Sequence, residues 1–177
     1  PLDIASERSI AGFARESAMV TERADLLINN AGVLVSGERF GTVAAKSLTD
    51  SFAANASGPL LLAQVLAGLL QASEQARIAN ISSQIGSIAN TQSFRTASYA
   101  MSKAALNMAT RLMAAELVAH GITVACFHPG WVQTDMGGAN ATLSIVDSVT
   151  ALLERILALT PADAGRFIGA DGNDLPW

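Results

Sequence analysis

Short apolar runs alternate with longer helical segments along this chain, and no other feature constrains the fold as strongly. The runs "ADLLINNAG", "ARIANISS" and "ITVACFHPG" have the length of buried strands and end in turn residues. "GRFIGADG" is a weaker fourth strand, and "PLDI" reads as the tail of a further one. Helices are predicted over residues 10–21, 47–71, 99–120 and 145–159, with a bend or break near Pro59. This order predicts an α/β fold, a doubly wound parallel sheet covered by helices on both faces.

Length, charge and hydropathy narrow the function classes. At 177 residues, half of them apolar and 15% charged, the chain suits a single folded domain over residues 1–177. A net charge of −4 without a basic run gives no reason to expect nucleic acid as a partner. The only cysteine, Cys126, lies in an apolar run and is expected to be an inert buried thiol. The apolar run at 58–70 is too short for a membrane span, and the N-terminus lacks a signal-peptide pattern, so the expected location is the cytoplasm.

Unusual polar residues follow the predicted strands. Asn29 ends the first strong strand, Ser83 the second and His128 the third, while Tyr99 begins the long helix that comes after the serine. The carboxyl ends of parallel strands meet at one edge of a sheet, and ligand sites form there. The sequence therefore predicts a functional site at this edge.

Tyr99 and Lys103 in "SYAMSKAALN" are four residues apart and would be neighbours on a helix. A lysine ammonium favours the phenolate, so we expect Lys103 to lower the pKa of Tyr99 from its usual value of about 10. A serine hydroxyl at a strand end can hydrogen-bond a substrate carbonyl and the alkoxide that it becomes. Each of these elements alone is more often a solvated helix face or a cap. Their combination at one sheet edge favours acid–base chemistry.

The segments "LLINNAG", "NASGPL", "IANISSQIGS", "SYAMSKAALN" and "HPGWVQTDM" resemble the short-chain dehydrogenase/reductase family, in order and across essentially the whole chain. The closing portion is similar to the C-factor and sniffer-type carbonyl reductase branch. The resemblance implies a Rossmann-like sheet and an enzyme that uses NAD or NADP, NADP being slightly favoured by the branch. The substrate would be a small-molecule carbonyl or alcohol.

The resemblance also implies roles for individual residues. Tyr99 would be the general acid of carbonyl reduction, Lys103 would lower its pKa and bind the nicotinamide ribose, Ser83 would orient the substrate oxygen, and Asn55 would belong to a proton relay. The other implied cofactor contacts are Asp3, Asn29, Ala31, Gly32, Pro129, Gly130, Val132 and Thr134. Trp131 and Met136 suggest an apolar substrate pocket, with a packing role as an equal alternative. No metal site is implied.

This chain departs from the family pattern in the spacing of the serine. Ser83 precedes Tyr99 by sixteen residues, a longer interval than is usual in the family. Ser82 and Ser87 are therefore alternatives, and Ser83 is preferred because it ends the predicted strand.

A second departure concerns the phosphate-binding loop. The only glycine before Asn29 is Gly12, which falls in a predicted helix, so the glycine-rich turn of the family has no counterpart there. We expect a sheet without the first two family strands, with an open edge at residues 24–32. We also expect the chain to need a rearrangement, a partner or a preceding segment to hold the ordinary fold.

Three interpretations of function follow. The first is an NAD(P)-dependent oxidoreductase that interconverts a carbonyl and an alcohol, and the second is a non-catalytic, C-factor-like signalling or binding protein derived from a reductase. The third is a piece of a longer protein. The helices at 47–71 and 99–120 correspond to the dimer helices of the family, although sheet coverage alone would also explain their apolar character.

Overall fold

Four parallel strands form one sheet in the computed structural model, which describes residues 1–177. The strands are β1 (Leu26–Asn29), β2 (Ala76–Ile81), β3 (Ile122–Phe127) and β4 (Phe167–Ile168), and they lie in the order β1-β2-β3-β4. The helices are α1 (Glu7–Val20), α2 (Ala45–Phe52), α3 (Gly58–Gln71), α4 (Ala97–Leu117) and α5 (Ile145–Ala158). A π-helix (Ala53–Ser57) joins α2 to α3, and three short 3₁₀ segments are Gln84–Gly86, Val118–His120 and Pro161–Asp163. The prediction of a doubly wound α/β fold is confirmed.

The sheet separates two apolar cores because alternate strand residues point to opposite faces. On one face, Ile78 and Val124 pack with α1, α3 and α4, and both side chains are fully buried. On the other face, Ala79 and Phe127 pack with residues of α5 such as Ile156. Neighbouring residues of a strand therefore pack into different cores, which explains why the strands are continuous apolar runs in the sequence.

The N-terminal segment is not a strand, so that part of the sequence prediction is wrong. Its polar groups form local hydrogen bonds with one another. Asp3 Oδ1 accepts from the Ala5 N–H, and the Asp3 carbonyl accepts from the Ser6 N–H. Ser6 then caps α1 by accepting from the Ser9 N–H. Local Asx and serine hydrogen bonds compete with sheet pairing, and here they produce a turn.

The break predicted near Pro59 is a change of helix type. In the π-helix, the Gly58 N–H bonds to the Ala53 carbonyl, five residues back. Pro59 has no N–H, so a carbonyl in the preceding turn lacks its helical donor. Such π insertions occur mostly at functional sites. This one carries Asn55, which is fully buried.

The helical segment Ala45–Gln71 is long and apolar enough to cross a membrane. This length corrects the sequence estimate, which considered only the apolar run at 58–70. Half of its most apolar window is buried inside the structure, and Leu62, Leu66 and Leu70 belong to the core. The segment therefore packs as a core helix.

Strand β1 lies at one edge of the sheet and pairs only with β2, in agreement with the expected open edge. Ile28, in the middle of β1, is 39% exposed. Edge strands of this kind present unpaired backbone groups to their surroundings.

Because Ile78 is part of the core on the α1–α3–α4 face, shortening its side chain should lower the stability of the fold strongly. Ile78→Ala should lower the free energy of unfolding by about 2–5 kcal/mol, because the residue is fully buried and its loss leaves a cavity. Ile88→Ala is the matched control, since Ile88 is 77% exposed. Urea denaturation followed by circular dichroism measures both, and equal effects of the two substitutions would contradict the core assignment.

Candidate active site

Tyr99 and Lys103 lie one turn apart near the start of α4, and both are almost completely buried. The Lys103 Nζ is 5.6 Å from the centroid of the Tyr99 ring. It donates a 2.7 Å hydrogen bond to the carbonyl of Ile81, the last residue of β2. This bond fixes the first turns of α4 at the carboxyl edge of the sheet, where the sequence placed the site.

Ser83 is the serine that contacts Tyr99. It follows β2 and is buried, its Oγ accepts from the Ile85 N–H, and its hydroxyl lies close enough to the Tyr99 phenol to act against the rise in the pKa of that phenol. The other two serines bond elsewhere: Ser82 donates to Asn107 Oδ1 at 2.7 Å, and the Ser87 hydroxyl accepts from the Asn90 N–H. The geometry thus favours Ser83 among the three alternatives.

Gly86 allows the segment after Ser83 to lie directly on α4. A Cβ at this position would come within 2.8 Å of both the carbonyl carbon and the Cβ of Lys103. Contacts this short do not occur in real side chains, so a larger residue would push the segment away. Because Ser83 begins this 3₁₀ turn, its position relative to Tyr99 depends on the absence of a side chain at Gly86.

Asn55 connects the loop after β1 to α4. Its Oδ1 accepts from the Val33 N–H, and its Nδ2 donates to the Val33 carbonyl and to Ser102 Oγ, at 2.8, 2.8 and 2.9 Å. These bonds bring the backbone of Gly32 close to the lysine, since a Cβ at Gly32 would lie 3.6 Å from Lys103 Nζ. Asn55, Gly32 and Lys103 are therefore one cluster.

Asn29 is part of a buried polar chain beneath the site. Its Nδ2 donates to Asn80 Oδ1, and Asn80 Nδ2 in turn donates to Thr110 Oγ1. One side-chain N–H of Asn29 is thereby used within the sheet.

The other predicted contacts make no side-chain hydrogen bond to this cluster. Asp3 is exposed, and no hydrogen bond joins residues 129–136 to Tyr99, Lys103, Ser83 or Asn55. Trp131 and Met136 are 49% and 48% exposed, and Trp131 Nε1 donates to the Gly137 carbonyl within its own loop. Among the remaining predicted contacts, Pro129, Gly130 and Val132 are partly buried, while Thr134 and Ala31 are exposed.

The pKa of Tyr99 is shifted in the direction opposite to the sequence expectation. Burial raises the pKa of Tyr99, and the hydrogen bond with Ser83 only partly offsets this effect. Burial also lowers the pKa of Lys103 from 10.5 to about 8. The lowered pKa that the sequence led us to expect for Tyr99 is therefore not found in this structure, because desolvation of the buried phenol is the largest effect.

Two other titratable groups near the sheet edge are buried. Burial raises the pKa of the Cys126 thiol to about 12, as expected of an inert core cysteine. Burial lowers the pKa of His128, whose Nδ1 has no hydrogen-bond partner. Neither residue contacts the Tyr99 phenol.

Sequence reasoning did not identify the polar residues that support the site, which are Asn80, Ser102, Asn107 and Thr110. Asn107 follows Lys103 by four residues, as Lys103 follows Tyr99, so the three lie on one face of α4. A row of polar residues along one face of an otherwise apolar long helix is the sequence signal that would have identified Asn107.

The comparisons with known proteins agree with this geometry. The family model for short chain dehydrogenases matches residues 1–143. C-signal from Myxococcus xanthus is 42% identical over 153 residues, which are 86% of this chain and 92% of that protein. The chain belongs to the short-chain dehydrogenase family.

Solved structures of carbonyl reductases share the fold. NADPH-bound carbonyl reductase from chicken fatty liver has a TM-score of 0.93 and 33% identity, and the match covers 100% of this chain and 76% of that one. Carbonyl reductase Sniffer of D. melanogaster also has a TM-score of 0.93, with 29% identity over 99% of this chain and 76% of that one. These similarities, with that to C-signal, place the chain in the branch that the sequence indicated.

The residues present fit one end of a nicotinamide dinucleotide. The exposed backbone at Gly32 leaves a space beside Lys103 that a Cβ would fill, and the neighbouring residues 30–33 are exposed. The pyrophosphate end has no matching element in these residues, because the only glycine before β1 is Gly12, inside α1.

Because Tyr99 is the only tyrosine in the chain, the ultraviolet absorbance of the phenolate reports its ionisation directly. The measured pKa should lie above about 10, and Ser83→Ala should raise it further by removing the hydrogen bond that favours the phenolate. Ser87→Ala is the control and should leave it unchanged. If Ser87→Ala shifted the pKa of Tyr99 and Ser83→Ala did not, the choice of Ser83 would be wrong.

The buried lysine predicts an increase of stability with pH. Between about pH 8 and 10.5 the unfolded chain keeps a proton on Lys103 that the folded chain has lost, so folding becomes more favourable as pH rises, by at most about 3 kcal/mol. Lys103→Met should lack this increase. Urea unfolding of both proteins below pH 8 and near pH 10.5 measures it, and parallel changes in the two would show that Lys103 keeps its ordinary pKa.

Proposed function

We propose that this chain is an NAD(P)-dependent carbonyl reductase in which Asn55, Ser83, Tyr99 and Lys103 form the catalytic group of a single short-chain dehydrogenase domain. The observation that carries the proposal is the burial of the Tyr99 phenol beside Ser83 and one turn from Lys103.

Tyr99 is the proton donor in this proposal. Its raised pKa keeps the phenol protonated at neutral pH, which is the form required for carbonyl reduction. The substrate oxygen accepts this proton and a hydrogen bond from Ser83, so that the developing negative charge meets two donors. In the reverse direction, Tyr99 must first lose its proton, and its raised pKa makes that direction less favourable near pH 7.

Lys103 and Asn55 resupply the proton. With a pKa of about 8, Lys103 can exchange a proton with water near neutral pH. Both Nδ2 hydrogens of Asn55 are used by Val33 and Ser102, so a relay water at this residue would bind the remaining acceptor site of Oδ1 or a backbone carbonyl of the π-helix. Pro59 leaves such a carbonyl without its helical donor.

When bound, the nicotinamide would supply or accept the hydride. Lys103 and Tyr99 would hold its ribose, and the backbone of Asn29, Ala31 and Gly32 would line it. The remaining proposed contacts are Asp3, Pro129, Gly130, Val132 and Thr134. NADP is slightly favoured by the family branch, and the chicken reductase was solved with NADPH.

The proposed substrate is a small carbonyl compound or the corresponding alcohol, with Trp131 and Met136 beside it, and the proposed location is the cytoplasm. The proposed assembly is a homodimer through helices 47–71 and 99–120. The exposed side chains of Met101, Met108 and Leu112 on α4 support it.

A second function is favoured by one observation. The chain is 42% identical to C-signal and 33% and 29% identical to the two carbonyl reductases. A non-catalytic signalling or binding protein derived from a reductase is therefore the alternative.

The substitution Tyr99→Phe separates these functions. It should lower NADPH-dependent reduction of aldehydes and ketones by about 10²–10⁴-fold, because it removes the general acid while keeping the ring. Met19→Leu, at an exposed position on α1, is the control. Nicotinamide absorbance measures the rate, and full activity of Tyr99→Phe, or no activity of the unmodified chain, would contradict the enzymatic proposal.

A further inference from the structure

Glu38 is a buried carboxylate that contacts the helix of the active site. It lies in the loop between β1 and α2, is 8% exposed, and accepts two hydrogen bonds with its Oε2. Both come from Ser98, one from the backbone N–H and one from the hydroxyl, each at 2.9 Å. Ser98 is fully buried and directly precedes Tyr99.

Helix α4 has no N-cap of its own. Thr96, at the N-cap position, has a left-handed φ of 41° and makes no capping hydrogen bond, and its Oγ1 is buried without a partner. Positive φ is unfavourable for a β-branched residue. The first N–H groups of a helix need acceptors, and a negative charge there also suits the helix dipole. Glu38 supplies the acceptor from a position sixty residues away in sequence.

The loop that carries Glu38 also binds the side chain of Asn55. Val33, five residues before Glu38, is the residue whose N–H and carbonyl bond to the Asn55 side chain. A further contact ties this loop to the segment before α4, where the rings of Phe40 and Phe94 meet edge to face with centroids 5.6 Å apart. One loop thus contacts the π-helix at one point and the start of α4 at another.

We propose that Glu38 is a positioning residue, which holds the first turn of α4 so that the Tyr99 phenol stays in contact with Ser83. This role rests on the proposed function, since Tyr99 is the proposed acid. Without the cap, the first turn of α4 has no acceptor for the Ser98 N–H, and helix ends without caps fray. Fraying at this turn moves Tyr99 directly, whereas Lys103 is held separately by the Ile81 carbonyl.

The single tyrosine provides a test that a purely stabilising role would not pass. Ser83→Ala should raise the pKa of Tyr99 in the otherwise unmodified chain, as measured by phenolate absorbance. In the Glu38→Ala background the same change should have little effect, because the phenol no longer contacts Ser83. Glu38→Gln retains an acceptor oxygen for the Ser98 N–H and should restore the effect of Ser83→Ala.

Activity gives the second measurement. Glu38→Ala should lower kcat by roughly tenfold to a hundredfold with little change in KM, as expected when the reacting group is misplaced. Glu154→Ala, at an exposed position on α5, should have no effect on either. An equal Ser83→Ala shift with and without Glu38 would overturn the proposal.

Two further outcomes are distinguishable. If the unmodified chain shows no turnover, the proposed function fails, while the pKa comparison still decides whether Glu38 positions Tyr99. If Glu38→Ala does not fold by circular dichroism, Ser98→Ala takes its place, since it deletes one of the two hydrogen bonds by removing a single oxygen. A smaller Ser83→Ala shift in that background supports the proposal, and an unchanged shift contradicts it.

Discussion

The hydrogen bond from Lys103 Nζ to the Ile81 carbonyl is the interaction on which the rest of this site depends. It places an ammonium group at the end of β2, almost completely buried, and it holds the first turns of α4 against the sheet. Ser83 follows Ile81 by two residues, so the same strand end that binds the lysine also positions the serine. Tyr99 lies one turn before Lys103 and therefore meets Ser83. Chain connectivity and this hydrogen bond bring three side chains to the same sheet edge, and the close contact at Gly86 lets Ser83 approach Tyr99.

Buried polar groups extend this arrangement below the site. Asn29, Asn80 and Thr110 form one hydrogen-bonded chain across two strands and α4, and Ser82 bonds Asn107 beside it. Such networks are stabilising only when their members are satisfied, because an unpaired buried polar group costs about 1–3 kcal/mol. The face of α4 toward the sheet is consequently polar near the carboxyl edge and apolar further along, where Met113 and Ala114 join the core.

The sequence was informative where local patterns decide the outcome. Apolar periodicity predicted the four main strands and the long helices, and the rule for parallel sheets placed Tyr99 and Ser83 at one edge. It failed where the outcome depends on burial or on distant partners. The direction of the Tyr99 pKa shift follows from desolvation, which no spacing reveals. The cap of α4 comes from Glu38, far away in sequence, while Thr96 at the local position is in an unfavourable conformation.

The desolvation of Lys103 bears on the choice between the two proposed functions, catalysis and signalling. Burial holds the pKa of Lys103 near 8, so its charged form costs about 3 kcal/mol at neutral pH, a large fraction of the stability of a typical domain. Apolar residues of similar volume often stabilise a fold relative to buried charges. A protein that acts only through its surface gains nothing from a buried lysine, whereas a site that transfers protons needs a titratable group beside the donor. The exposed apolar side chains of α4, such as Met108 and Leu112, involve different residues, so a surface function and a reductase site can exist in one chain without competing.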